Sequence, residues 1–111
     1  MDADHKLTVE AIEAFAHSFG VAPEAALEQA ETLTLDDVRH FLIPKITALL
    51  DRNPALLMHI LYRVDVAEHN VKHIFAESSP TDIPPHLADL LIERQLLKLK
   101  TRRQYREQGF Y

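Results

Sequence analysis

An all-α fold is what this sequence predicts, and three observations predict it. Glycine occurs only twice in 111 residues, whereas Ala, Leu, Glu, Gln and Arg are abundant, a balance that favours helix. Apolar residues recur at spacings of three and four, and no segment alternates apolar and polar residues as a half-buried strand would. Capping residues stand where those periodic stretches begin and end, which divides the chain into discrete helices. The expected architecture is a single compact bundle of five or six helices over residues 1–111, with a long C-terminal helix. A chain of this length buries about two thirds of its surface, enough for its own core.

The first helix is expected from Thr8 as N-cap through Val9, Ile12, Phe15, Ala16 and Phe19, with Gly20 as the left-handed residue that ends it. Pro23 suits the first position of a second, lightly apolar helix containing Ala25, Ala26, Leu27, Ala30 and Leu33. Thr34 and Asp37 have capping-box spacing and open a third helix. Its Leu35, Val38, Leu42, Ile43, Ile46, Leu49 and Leu50 share one broad sector, opposite Asp36, Asp37, His40, Thr47 and Asp51. Pro44 removes the hydrogen bond to the His40 carbonyl, so a kink or break is expected there.

Asn53 and Pro54 read as N-cap and first residue of a fourth helix ending near Arg63. Leu56, Leu57, Met58, Ile60, Leu61 and Tyr62 surround its whole circumference. Helices apolar on every side are usually buried, which places this one, with His59, at the centre of the bundle. Asp65 and Glu68 repeat the cap spacing ahead of a fifth helix, with Val71, Ile74 and Phe75 facing inward and Glu68, His69, Lys72, His73 and Glu77 outward. Residues 78–85, SSPTDIPP, form the one evident linker.

The sixth helix is expected from Pro85 to Gln108, a span of about 36 Å at 1.5 Å per residue. It carries two apolar stripes, one of Leu87, Leu90, Leu91, Leu97 and Tyr105 and another of Ala88, Ile92, Leu96 and Leu99. One stripe suits the body of the domain. The other requires helices wrapped around both sides, or a second copy of the chain in a homodimer.

The net charge of −5 conceals a reversal along the chain: residues 1–93 sum to −10 and residues 94–111 to +5. An acidic body carries a basic end. Lys98, Lys100, Arg102, Arg103 and Arg106, interleaved with Tyr105 and followed by Phe110 and Tyr111, form the principal candidate contact surface. Clustered cations attract an acidic protein surface or phosphates, and the aromatics offer an anchor or a stacking platform. The same cations also complement the helix macrodipole and are available to the acidic body of their own chain. An acidic chain with a basic end, instead of a basic face, favours a protein partner over nucleic acid.

His69 and His73, four apart on one helix face with Glu77 four further on, are a candidate metal pair. A helix stripe drifts by about 40° over four residues, which weakens Glu77 as a third ligand. A solvated face with Glu68–Lys72 and His73–Glu77 pairs explains the same residues. Arg63, Asp65 and Arg94 are expected to form an ion-pair network between the fourth and sixth helices, and His59 is expected to be a core histidine.

Cysteine is absent, which removes disulfides, thiolate zinc sites and thiol catalysis together. There is no glycine-rich phosphate loop and no nucleophile elbow; Ser18 sits at a helix end, and Ser78 and Ser79, in the linker, have no histidine beside them in sequence. No cofactor is implied. The opening MDADHKL lacks a basic n-region and apolar core, so a cytosolic location is expected. The longest apolar run, Ala55–Leu61 with His59 inside it, is far shorter than the ~20 residues a membrane helix needs. The expectation is a small non-catalytic cytosolic interaction or adaptor protein, with nucleic-acid binding and metal binding as alternatives.

Overall fold

The structure is a computed structural model that describes residues 2–21 and 34–107, with side chains for residues 6–21 and 34–105. Its described residues form an all-α bundle: α1 (Asp2–Ser18), α2 (Leu35–Arg52), α3 (Pro54–Val64), α4 (Glu68–Glu77) and α5 (Ile83–Glu107). The helix expected from Pro23 to Leu33 lies outside the described residues.

Helix α1 begins at Asp2 and not after Thr8, so Thr8 is an interior residue, 5% exposed, instead of a cap. Nothing in the sequence of residues 2–7 breaks a helix. The core-facing stripe accordingly runs through Leu7, Ala11, Ile12, Phe15 and Ala16. The helix ends as expected at Gly20, whose φ is +72°. The Gly20 N–H donates to the His17 carbonyl and the Val21 N–H to the Ala16 carbonyl, the paired bonds of a Schellman motif.

At the start of α2 the Thr34 N–H donates to Asp37 Oδ2 at 2.8 Å and the Asp37 N–H to Thr34 Oγ1 at 3.3 Å, which completes the capping box. Val38, Phe41, Leu42 and Ile46 are buried. Leu35, expected among them, is 44% exposed, because the first turn precedes the region where neighbouring helices pack. Pro44 does not break the helix, which is assigned without interruption from Leu35 to Arg52. Pro44 and His40 both lie on the exposed side, where water is able to satisfy the freed carbonyl.

Asn53 caps α3, its Oδ1 accepting from the Leu56 N–H at 3.2 Å, and Pro54 occupies the first turn. This helix is not the centre of the bundle. It buries one stripe, Leu57, Ile60, Leu61 and Val64, and exposes Leu56, His59 and Tyr62, the last by 62%. Its composition is apolar all round, but only one face meets other helices, and His59 stands in solvent instead of the core.

Asp65 does not cap α4. It ends α3 in the left-handed region at φ 67°, where its N–H donates to the Tyr62 carbonyl and the Val66 N–H donates to that of Leu61. Asp65 and Val66 thus repeat the Gly20 and Val21 arrangement with an aspartate in the glycine position. The residue preceding α4 is Ala67, which makes no side-chain cap. Of the residues expected to face inward, Val71 is buried, Ile74 is half-buried and Phe75 is 38% exposed.

The central element is α5, which packs against each of the other four described helices. Its 25 residues amount to about 38 Å, close to the 42 Å long dimension of the molecule. Wrapping accounts for part of the two-stripe pattern: Leu87, Ala88, Leu91, Ile92 and Leu99 are all buried in one core with residues of the other four helices, while Leu97 and Tyr105 stay exposed. The expected linker is shorter than its sequence, since Pro84 and Pro85 lie inside the first turn of α5, where proline is well tolerated. No helix among the described residues is long and apolar enough to cross a membrane.

Candidate functional site

The C-terminal half of α5 extends along α1 and presents two sides. One side lines a polar groove of about 350 Å³ with α1. Lys6, Glu10, Glu13 and Ala14 come from α1, and Gln95, Leu99, Arg102 and Arg103 from α5. On each helix these positions follow the spacing of four, three and one that keeps residues on one face. Two carboxylates and an ammonium of α1 therefore face two guanidiniums of α5, with no direct ion pair among them; the pairs of the described residues lie elsewhere. The acidic partner of the basic end is thus partly its own chain. Sequence reading missed this groove, although Lys6, Glu10 and Glu13 carry the spacing that would have revealed a polar face on the first helix.

The other side faces outward. Leu97 is 54% exposed and Tyr105 46% exposed. Around them Glu93, Lys100, Thr101, Arg102 and Gln104 are exposed, while Lys98 and Arg103 are half-buried. Arg106 belongs to the last turns of α5, beyond the described side chains. The candidate cations are therefore not a single patch: Arg102 and Arg103 line the groove with Glu10 and Glu13.

Of the expected network around Asp65, one bond exists: Arg94 donates to Asp65 Oδ2 at 3.1 Å. Arg63 is exposed and makes no ion pair among the described residues. A second cross-helix pair, unforeseen, joins Arg39 of α2 to Asp89 of α5 at 2.8 Å. Its hydrogen bond to Asp89, and then the carboxylate's charge, raise the Arg39 pKa above the usual arginine value.

His69 and His73 are both exposed on α4, and among the described residues no group of three or more His, Cys, Asp or Glu is placed to hold a metal ion. Glu68 pairs with Lys72 at 3.4 Å, as the solvated-face reading expects. Ser78 does have a histidine beside it in space: its Oγ lies 2.9 Å from His86 Nδ1. The two are eight residues apart and meet because the turn between α4 and α5 doubles the chain back. A serine–histidine contact is where nucleophilic catalysis begins, but the base then needs an orienting group. The nearby Asp82 carboxylate instead accepts from Ser79 Oγ at 2.9 Å, so the contact joins the end of α4 to the first turn of α5.

An apolar cleft of about 110 Å³ lies between α3 and α4, lined by Met58, Leu61, Tyr62, Val66 and Val71 with Glu68 and Lys72 at its edge. It is smaller than the several hundred Å³ typical of small-molecule sites. No protein-family model, no curated protein and no solved structure matches the chain.

Proposed function

We propose that this chain is a non-catalytic, cytosolic protein-interaction module that engages its partner through the outward side and basic end of α5. The observation that carries the reading is the exposure of Leu97 and Tyr105 on the same helix half as exposed Lys100 and Arg102. Tyrosine and arginine are residue types enriched at interface centres, and Leu97 adds apolar area beside them. The carboxylates of the polar groove argue against nucleic acid as the partner. A phosphate chain reaching Arg102 and Arg103 meets Glu10 and Glu13 at the same place, and that repulsion reduces the gain from counterion release.

The test is affinity capture by the full chain at low salt, with and without nuclease. A parallel capture uses a variant with Lys98, Lys100, Arg102, Arg103 and Arg106 replaced by Gln, and another carrying Leu97→Asp. The expected result is a nuclease-resistant, stoichiometric protein that the wild type retains and both variants lose. Capture of nuclease-sensitive material alone, or retention unchanged by the substitutions, overturns the proposal.

A further inference from the structure

Resting on that reading, we infer that the partner is a second copy of this chain, paired antiparallel along α5 about a two-fold axis at Leu97. An interface between identical copies must be complementary to itself. A purely basic surface fails that requirement, because it meets its own cations. The outward strip of α5 satisfies it. Glu93, Leu97 and Lys100 are all exposed, and neither Glu93 nor Lys100 makes an ion pair among the described residues. At 100° per residue Glu93 and Lys100 project within about 20° of each other, on one flank of Leu97.

A two-fold axis through Leu97, perpendicular to the plane of the paired helices, reverses the helix direction and keeps that flank on the same side. It therefore brings Glu93 of each copy beside Lys100 of the other. Their heights from the axis are about 6 Å and about 4.5 Å, close enough for side chains of this length to meet. Two Glu93–Lys100 pairs form, and the two Leu97 side chains cover one another between them. The residue at the height directly across from Lys100 is Arg94, a cation, but it projects on the opposite flank of Leu97. Its charge is already answered by Asp65 at 3.1 Å. Thr101 and Gln104, the other exposed residues of the strip, add no charge. The contact is only about three helical turns long, at the low end of interface sizes, so the dimer exchanges with monomer and screens with salt.

Sedimentation equilibrium of the full chain from micromolar to millimolar concentration, at low and high salt, tests this. The expected mass rises from 12.7 kDa towards twice that value, less readily at high salt. Glu93→Lys and Lys100→Glu each weaken association by about tenfold or more, since like charges then face each other at two places. The double swap Glu93→Lys/Lys100→Glu restores it, because the same pairs re-form with their signs exchanged. Leu97→Asp abolishes it, with circular dichroism showing each variant still helical. A wild type that stays monomeric throughout, or a double swap as weak as either single change, overturns the inference. If the monomeric chain nevertheless captures another protein through Leu97, self-pairing fails and the interaction reading stands; if it captures nothing, both fail.

Discussion

The Arg94 guanidinium donates to the Asp65 carboxylate at 3.1 Å, tying the middle of α5 to the residue that ends α3. Asp65 is also the one described non-glycine residue with positive φ. The pair therefore joins a long-range contact to a locally unfavourable backbone geometry, and the two effects are separable by substitution. Asp65→Gly loses an exposed ion pair, a cost of about 0–1 kcal/mol, but gains conformational ease, so its stability should stay within about 1 kcal/mol of wild type. Asp65→Val loses the pair and places a β-branched residue in the left-handed region, for a cost of about 2 kcal/mol or more. Urea unfolding of the two variants checks this; equal losses would show that backbone strain at Asp65 is immaterial.

Gly20 offers the same geometry without a long-range partner. A Cβ added there meets nothing within 4 Å, so Gly20→Ala reports backbone preference alone. The expected loss is about 1 kcal/mol, read from the shift in denaturant midpoint.

Thr34 and Asn53 cap successive helices from opposite ends of α2. Thr34→Ala and Asn53→Ala should each cost about 1 kcal/mol. The 18 residues of α2 hold them about 27 Å apart, so the double variant should lose the sum. Thermal or urea unfolding of the three proteins would detect a departure from additivity.

Leu91 and His59 separate the true centre of the bundle from the apparent one. Leu91 is fully buried on α5, and Leu91→Ala should cost about 2–5 kcal/mol. His59 is exposed on α3, and His59→Ala should change stability by no more than about 0.5 kcal/mol. A large loss at His59 would return α3 to the core.

Zinc or nickel should leave the melting temperature of the chain unchanged, and elemental analysis after desalting should find no stoichiometric metal. Ligands that bind only the folded state raise its stability with concentration, so an upward shift that disappears in a His69→Ala/His73→Ala variant would restore the metal reading.

Local chemistry was legible in the sequence. Gly20, the Thr34–Asp37 box and the Asn53–Pro54 cap all act where their side chains or backbone freedom imply, because each involves only neighbours within a turn. The order of the described helices and the long final helix were legible for the same reason. Misreadings arose where a long-range partner decides the outcome. The apolar girdle of Leu56 to Tyr62 suggested a central helix, yet burial depends on how many faces find neighbours, and α3 finds them on one. The two stripes of α5 were the better sign of centrality, although they admitted a second copy as readily as intramolecular wrapping. Asp65 resembled an N-cap by spacing and proved to end the preceding helix, a choice settled by the packing of Val66 and the reach of Arg94. The basic end was found, but its division between a groove of mixed charge and an outward strip was not, because Glu10 and Glu13 lie about ninety residues away in the chain.

Placing the common packing surface on α5 also imposes an order in time. Ribosomes add about 5–20 residues per second and expose the chain from its N-terminus. Phe15, Leu42, Ile46 and Leu57 emerge well before Leu87 and Leu91, with which they share a core. Until residues 83–107 arrive, the earlier helices have no central helix to close around, and their apolar stripes stand open to chaperones or to one another. Completion of the fold therefore waits for α5, and a translational stall before Leu87 leaves a chain with caps and helices but without its centre.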